Sequence, residues 1–332
     1  MDLQLTGKRA LVTGATGGIG QGVARTLARE GVAVVVHGRN DKEASRVVQL
    51  ITSEGGRAFA VLGDLSLDDS ARAVADTSIA VMGGVDILVN CAARYEQMSW
   101  MESSPVKWLD MFNHDVLSMV RLVQNLAPAM KASGWGRFIQ IASSSALEPG
   151  PSGPDYSAAK AAVMNLSVSL SKDLAGTGIT ANTICPGPIM TDGFEKLWRG
   201  IARERGWGDE WPDIERKIVA EILANPTGRI GRVEEVASLI ALVASPLGGF
   251  INGANLRVDR GYVVGVHCAQ HRLLSSDRLC FAPNQRGGGG PPIVPASSRT
   301  GLQWCHSTRS VMRGREGRPG RRPRGGGHGP RQ

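Results

Sequence analysis

Seven short apolar runs, each followed by a stretch of helical pattern, recur along about the first three quarters of this 332-residue chain. The run at 32–37 consists of four valines, an alanine and a histidine, which is typical of a strand buried on both faces of a sheet. Alternating strands and helices predict repeated βα units with right-handed connections, and hence an α/β fold. We expect one doubly wound parallel sheet with helices on both faces. The predicted strands are residues 8–13, 32–37, 57–62, 85–90, 136–142, 179–184 and 254–258.

A glycine-rich turn at 14–20 links the first predicted strand to an amphipathic helix. A strand, such a turn and a helix start form an anion site, because free N–H groups and the positive end of the helix dipole face one point. Gly14 would allow the tight turn, Gly18 would let a pyrophosphate approach the backbone, and Gly20 would let the helix pack on the strand. The spacing differs from the common G-x-G-x-x-G fingerprint, so an ordinary tight turn is the alternative. The apolar stripe of the helix is Val23, Ala24, Leu27 and Ala28, and we expect the helix to stop at Gly31.

Tyr156 and Lys160 stand four residues apart, and Ser143 precedes Tyr156 by 13 residues. Positions four apart lie on one face of a helix, so the lysine ammonium group can sit beside the phenol. A neighbouring cation favours the phenolate of a group that ordinarily ionises near pH ~10. Ser143 could hydrogen-bond a substrate oxygen as charge develops there. The set therefore predicts a site that transfers the proton needed to interconvert an alcohol and a carbonyl.

Together with four other motifs, these residues resemble the short-chain dehydrogenase/reductase family over about residues 5–265. The resemblance implies a Rossmann-type fold and an oxidoreductase that interconverts a carbonyl and a secondary alcohol by hydride transfer with a nicotinamide cofactor. It makes 3-oxoacyl thioester reduction one candidate activity on a small-molecule substrate. The matching residues, in the family's order and spacing, are Thr13-Gly14-x-x-x-Gly18-Ile19-Gly20, Asp64-Leu65, Asn90-x-Ala92, Ser143, Tyr156-x-x-x-Lys160 and Pro186-Gly187-x-Ile189-x-Thr191.

The resemblance also implies a role for each group of residues. Tyr156 would transfer the proton, Ser143 would polarise the substrate oxygen, and Lys160 would hold the nicotinamide ribose. Asp64 would hold the adenine amino group, and Asn90 would line the central part of the cofactor. The nicotinamide end would lie against Ile189 and Thr191.

The residues after the second predicted strand indicate which cofactor is used. NAD-specific family members usually end this strand with a carboxylate that binds the ribose 2′-hydroxyl, whereas Gly38, Arg39 and Asn40 stand here. A guanidinium group can bind a 2′-phosphate that a carboxylate would repel. We expect NADP(H) rather than NAD(H), with a solvated surface arginine as the alternative. The predicted cofactor-binding residues are Gly14, Thr16, Gly18, Ile19, Gly20, Arg39, Asn40, Asp64, Leu65, Asn90, Ala92, Tyr156, Lys160, Pro186, Gly187, Ile189 and Thr191.

Asp115 departs from the family pattern. The family usually has an asparagine 28 residues before the catalytic serine, where it helps to hold a water of the proton relay. An ionised Asp115 can accept hydrogen bonds but cannot donate one, so we expect an effect on rate. Asn113 could replace it only through a register shift or a bulge. Asp115 thus joins Ser143, Tyr156 and Lys160 as a candidate catalytic residue, and the alternative function is a cofactor-binding scaffold with impaired turnover.

The segment 192–228 interrupts the alternation of strands and helices, and by resemblance it is a mobile substrate lid. Its three tryptophans, Trp198, Trp207 and Trp211, could form an apolar substrate wall or pack the lid onto the core. The stretches 105–131 and 155–175 carry apolar faces that, by resemblance, pair between subunits of a homodimer or homotetramer.

The composition changes after Val264. Residues 266–332 contain 12 Arg, no Lys and only Asp277 and Glu316, a net charge of +10 within a whole-chain charge of +8. Segments rich in Gly, Pro and Arg contain few large apolar residues, so burial cannot offset the conformational entropy that folding costs. We therefore expect a disordered tail after the 1–265 domain. The tail could bind nucleic acid, or could hold a metal through its cysteines and histidines, but it lacks aromatic repeats and tight Cys pairs. We favour a third interpretation, in which an altered reading frame in GC-rich DNA has extended the protein beyond the normal end of the family. We therefore expect neither a nucleic-acid partner nor a metal site.

Five scattered cysteines do not form a disulfide framework, and we expect Cys91 and Cys185 to be reduced thiols. The residues after Met1 lack the basic start of a signal peptide, and no apolar run is long enough to span a bilayer. These features predict a cytoplasmic protein without a membrane partner.

Overall fold

The computed structural model describes residues 1–96 and 98–263, and the predicted tail with its cysteines and histidines lies outside them. Within this part of the chain, seven strands form one parallel sheet in the order β3-β2-β1-β4-β5-β6-β7. The strands are β1 (Arg9–Val12), β2 (Ala33–Gly38), β3 (Arg57–Leu62), β4 (Ile87–Asn90), β5 (Gly136–Ile141), β6 (Ile179–Pro186) and β7 (Asn255–Val258). The helices are α1 (Gly18–Arg29), α2 (Asp41–Ser53), α3 (Asp68–Met82), α4 (Pro105–Phe112), α5 (Ser118–Ser133), α6 (Pro154–Asp173), α7 (Asp192–Glu204), α8 (Trp211–Glu221) and α9 (Val233–Ala244).

The predicted doubly wound α/β fold is confirmed, and each predicted strand begins and ends within two residues of the observed one. The chain builds outward from β1 to β3 and then returns to place β4 on the other side of β1. The strand order therefore reverses between β1 and β4. In open α/β sheets a crevice forms at the carboxyl ends of the strands at such a point, and ligands bind there.

Both faces of the sheet are covered by apolar cores, which explains the continuous apolar character of the strands. Successive residues of β1 point to opposite faces, and Leu11 and Val12 are both fully buried. Val12 belongs to the core beneath α1, α2 and α9. Leu11 belongs to the core beneath α3, α5 and α6, where Phe138 of β5 is also fully buried.

Helix α1 lies close to the turn that precedes it because Gly20 has no side chain. A Cβ atom at Gly20 would lie 2.4 Å from the carbonyl oxygen of Gly14. The helix ends at Arg29, and Gly31 follows with a positive φ of 81°, as a helix-ending glycine should. The stripe predicted to face the core is buried: Val23, Ala24, Leu27 and Ala28.

The helical stretch predicted over 105–131 contains a π-helical turn at 113–117, between α4 and α5. A π turn carries one residue more than an α-helical turn, so it changes which side chains face the neighbouring helix. Asp115 lies in this turn and is 3% exposed. The turn packs against α6, and it therefore presents Asp115 to the helix that carries Tyr156 and Lys160.

The segment 192–228 folds into α7 and α8, which enclose a small apolar core of their own. Trp198 and Trp207 are each 8% exposed and belong to this core, together with Ile214 and Ile218. Trp198 and Trp207 therefore pack within the core of this segment, whereas the sequence left open a substrate wall or packing of the segment onto the main core. Trp211 packs against the same core from its edge.

None of the helices in the described part of the chain has both the length and the apolar character needed to cross a membrane.

Replacing Gly20 with alanine should lower the free energy of unfolding by about 1–3 kcal/mol, because the added methyl group meets a backbone oxygen that can move only with the turn. Urea denaturation measures this change. Gly200→Ala in the interior of α7 is the matched control, since no described atom outside the chain neighbours and the backbone of the helix itself lies within 4 Å of the added Cβ. Its better helix propensity should stabilise the protein by up to about 1 kcal/mol. Equal effects at the two positions would contradict the packing described for α1.

Candidate active site

The carboxyl ends of β1 and β4 are joined by Thr13. Its Oγ1 atom accepts hydrogen bonds from the backbone N–H groups of Cys91 and Ala92, each at 3.0 Å. Gly14 follows with a positive φ of 62°, and a Cβ atom there would lie 2.8 Å from the Cα atom of Ala92. The glycine-rich turn and the loop after β4 are therefore in direct backbone contact, which only glycine at position 14 permits.

A groove of about 360 Å³ lies beside this contact, at the point where the strand order reverses. Its floor needs glycine at position 38, where a Cβ atom would lie 2.3 Å from Cγ2 of Thr16. Asn90, at the end of β4, is buried, and its Nδ2 donor has no partner among the described residues. Glycine-lined walls and an unpaired buried donor fit a dinucleotide. Five lining residues are predicted cofactor-binding residues: Gly14, Thr16, Arg39, Leu65 and Ala92.

Of the residues predicted to bind the adenosine part of the cofactor, Arg39 lines this groove, and Asn40 and Asp64 are next to lining residues in the sequence. Arg39 is exposed at its rim, at the start of α2. Asn40 caps α2, because its side chain accepts a hydrogen bond from the N–H of Glu43 at 3.2 Å. Asp64 Oδ1 accepts hydrogen bonds from the backbone N–H and the hydroxyl of Ser66, which hold the pKa of Asp64 below its usual range. Arg39 thus lines the groove, and Asp64 stands between two residues that line it, Gly63 and Leu65.

His37 is a residue of this site that the sequence motifs did not reveal. Its ring is buried at the end of β2 and lines the groove. Nε2 lies 3.2 Å from the carbonyl oxygen of Gly63, so Nε2 must carry the hydrogen. Burial, against smaller opposing effects, lowers the pKa of His37 to about 4. The period-two alternation with Val35 could have indicated that this side chain faces α3 and α5.

Four of the predicted cofactor-binding residues lie at the carboxyl end of β6 or just after it: Pro186, Gly187, Ile189 and Thr191. A Cβ atom at Gly187 would lie 2.9 Å from the Cα atom of Asp259. Ile189 forms a parallel bridge with Gly231, and Thr191 caps α7 by accepting a hydrogen bond from Phe194 at 3.2 Å.

Thr191 also lies close to the glycine-rich turn. Its Cγ2 atom lies 3.5 Å from the position that a Cβ atom of Gly18 would occupy. The end of β6 therefore reaches the glycine-rich turn. Ile19, the second residue of α1, packs instead against the core beneath that helix.

Tyr156 and Lys160 lie one turn apart near the start of α6. The Nζ atom of Lys160 is 5.6 Å from the centre of the Tyr156 ring. Lys160 is 3% exposed, and Nζ donates a hydrogen bond to the carbonyl oxygen of Ile141 at 3.2 Å. Lys160 thus connects the helix to the carboxyl end of β5.

Ser143 lies just after β5, where its Oγ atom accepts a hydrogen bond from the N–H of Ser145 at 3.1 Å. This bond caps a short 3₁₀ turn at 144–146, and the turn packs against α6. The carboxyl end of β5 therefore brings Ser143 to the same helix that carries Tyr156 and Lys160.

The structure pairs Asp115 directly with Lys160. Asp115 Oδ2 lies 3.0 Å from Lys160 Nζ, and Oδ1 accepts a hydrogen bond from the backbone N–H of Arg94 at 2.8 Å. Burial alone would lower the pKa of Lys160, but the neighbouring Asp115 and Tyr156 raise it above its usual range. Asn113 does not take this place although the π turn supplies a bulge, because its Nδ2 atom donates to the carbonyl oxygen of Ser66 at 3.2 Å.

Tyr95 is a second residue of the site that the sequence did not reveal. Its ring meets the Tyr156 ring edge to face, with centres 5.0 Å apart and an angle of 80°. Desolvation and the nearby Tyr156 raise the pKa of Tyr95. The loop that carries Tyr95 has no periodic pattern from which this contact could have been predicted.

Known proteins share this arrangement of sequence and fold. The sequence pattern of the family described as short chain dehydrogenase matches residues 8–201. The uncharacterized oxidoreductase YvrD of Bacillus subtilis is 34% identical over 267 residues, 79% of this chain and 99% of that protein. The 3-oxoacyl-acyl-carrier-protein reductase FabG of Vibrio cholerae is 32% identical over 260 residues, 78% of this chain and 98% of that protein. The crystal structure of L-sorbose reductase from Gluconobacter frateurii, complexed with NADPH and L-sorbose, matches with a TM-score of 0.76 and 29% identity, over 80% of this chain and 100% of that one.

The low pKa of His37 should make stability depend on pH. Because the pKa of this group falls from 6.5 to about 4 on folding, the unfolded chain binds more protons in that window, and stability is lost as the pH falls. Between about pH 7 and pH 5 this group should cost about 2 kcal/mol. Urea denaturation of the protein and of His37→Gln at both pH values measures the difference. The same loss in both proteins would show that His37 does not titrate in this way.

Proposed function

Because the chain belongs to the short-chain dehydrogenase/reductase family, we propose that it is an NADP(H)-dependent oxidoreductase that interconverts a carbonyl and a secondary alcohol. The observation that carries this proposal is the Tyr156–Lys160 pair on α6, beside Ser143 at the carboxyl end of β5. The groove beside Gly14 and Arg39 leads to the same edge of the sheet.

In this proposal the bound nicotinamide supplies or accepts the hydride. Tyr156 donates its hydroxyl proton to the carbonyl oxygen during reduction and takes it back during oxidation. Ser143 donates a hydrogen bond to the same oxygen as negative charge develops on it. Lys160 holds the nicotinamide ribose, and its ammonium group stabilises the phenolate electrostatically.

Two substrate classes follow as candidates from the relatives. The Vibrio cholerae relative is named as a 3-oxoacyl-acyl-carrier-protein reductase, and the Gluconobacter frateurii structure contains L-sorbose. We also propose a homodimer or homotetramer formed through the stretches 105–131 and 155–175. The exposure of Val106 and Leu109, at 74% and 73%, supports an apolar contact on α4.

One observation favours a second candidate function, a cofactor-binding scaffold with impaired turnover. The carboxylate of Asp115 binds the ammonium group that the first proposal assigns to the ribose and to Tyr156. The scaffold proposal differs measurably from the first, because it requires NADPH binding without reduction of any substrate.

Purified protein should oxidise NADPH when it is supplied with a panel of ketones, ketoses and 3-oxoacyl thioesters. Tyr156→Phe should lower kcat by at least about 100-fold, since it removes the proton donor. NADPH binding, followed by fluorescence, should survive in this variant because the ring remains. Full activity of Tyr156→Phe would refute the mechanism, and tight NADPH binding with no turnover on any substrate would support the scaffold instead.

Arg39→Ala should weaken NADPH binding far more than NADH binding. A charge-assisted contact with the 2′-phosphate contributes about 1.5–3 kcal/mol, or roughly 10- to 150-fold in Kd. The matched control is Arg29→Ala, which removes the same charge from the last turn of α1, at the end away from the glycine-rich turn. Isothermal titration with both cofactors measures the effect. Equal losses for NADPH and NADH would show that Arg39 serves the fold.

A further inference from the structure

Each oxygen atom of the Asp115 carboxylate contacts a different group. Oδ2 lies 3.0 Å from the Lys160 ammonium group, and Oδ1 accepts the backbone N–H of Arg94 at 2.8 Å. The side chains of Asp115 and Lys160 are 0% and 4% exposed. The π turn at 113–117 places Asp115 in this buried position.

Two acidic groups therefore face one buried cation. Lys160 lies beside Asp115 and also beside the phenol of Tyr156, 5.6 Å from its ring centre. Charges excluded from water interact strongly, since little solvent screens them. The Asp115 carboxylate offsets the Lys160 charge before Tyr156 ionises.

The buried carboxylate of Asp155 precedes Tyr156, and its oxygens accept the backbone N–H of Tyr156 at 2.9 Å and the hydroxyl of Ser103 at 3.2 Å; it is the same in every variant compared below. The remaining titratable groups around the pair are neutral or paired near neutral pH. The thiol of Cys91, in the loop after β4, is neutral because burial raises its pKa to about 11. Tyr95, whose ring meets Tyr156, is neutral because its pKa is also raised. The Arg94 guanidinium group is partly exposed and is paired with Asp110. Ile141 contributes only a carbonyl oxygen to Lys160.

We propose that Asp115 is a positioning residue that neutralises Lys160 and so keeps Tyr156 protonated to higher pH than a neutral residue at position 115 would. The charge balance itself is independent of turnover, and its catalytic consequence rests on the proposed function. Carbonyl reduction uses the protonated phenol as an acid, whereas alcohol oxidation uses the phenolate as a base. Asp115 therefore keeps the form of Tyr156 that reduction uses populated at neutral and mildly alkaline pH.

The ionisation of Tyr156 can be measured without a substrate or a cofactor. The chain contains three tyrosines, so tyrosinate absorbance in the near ultraviolet resolves few groups. The difference between each protein and its Tyr156→Phe derivative isolates Tyr156. In Asp115→Asn, which keeps the shape of the side chain and removes its charge, Tyr156 should ionise about 1–2 pH units lower than in the unchanged protein.

Asp110→Asn is the matched control on the same helical stretch. Asp110 is 49% exposed, and its partners in the structure are Arg94 and His114. Its removal should leave the titration of Tyr156 in place, because solvent screens exposed charges. Asp115→Ser provides a second neutral variant if Asp115→Asn does not fold. An unchanged or higher ionisation pH of Tyr156 in a folded neutral variant would overturn the proposal.

The pH dependence of kcat supplies an independent readout once a substrate is known. In Asp115→Asn, the falling limb of carbonyl reduction and the rising limb of alcohol oxidation should both move to lower pH by the shift seen in the absorbance titration. A uniform loss of rate at every pH, with both limbs in place, would assign Asp115 a structural role and overturn the proposal. A loss of activity does not affect the absorbance titration, so failure of the proposed function and failure of this inference remain distinguishable.

Discussion

Parallel hydrogen bonding between strands places the carboxyl ends of all seven strands at one edge of the sheet, and the candidate site depends on this constraint. Residues far apart in sequence meet there because the strands in register end together. Thr13 at the end of β1 binds the backbone after β4, and Lys160 binds the last residue of β5. Without this alignment, the glycine-rich turn and the Tyr–Lys pair would not share an edge.

The same buried sheet explains why the charges of the site are paired. An ammonium group beneath α6 would be unfavourable alone, and a carboxylate at 3.0 Å offsets part of its desolvation. Asp115 therefore stabilises the charged form of Lys160 in its nearly dry position. A pairing that stabilises the buried lysine also changes the electrostatic surroundings of Tyr156, so stability and proton transfer are coupled at this point.

The strands and the Tyr–Lys pair could be predicted from sequence because buried β-branched runs and a spacing of four residues are local patterns. The Asp115–Lys160 contact could not be predicted, since the π turn that creates it breaks the helical period. The contact of Tyr95 with Tyr156 lies in a loop without periodicity. For Trp198, the sequence left two alternatives equally open, a substrate wall and packing of the 192–228 segment onto the core, because both need an apolar side chain.

We expect a hydride to move between a nicotinamide and a carbonyl carbon that are both bound at this edge of the sheet. The most direct test supplies NADPH that carries deuterium at nicotinamide C4, on either face in turn, together with a carbonyl substrate from the active class. Mass spectrometry of the alcohol then locates the label. The account predicts deuterium on the carbinol carbon with one of the two cofactors and a hydroxyl proton drawn from solvent. An alcohol that lacks deuterium with both cofactors would contradict it.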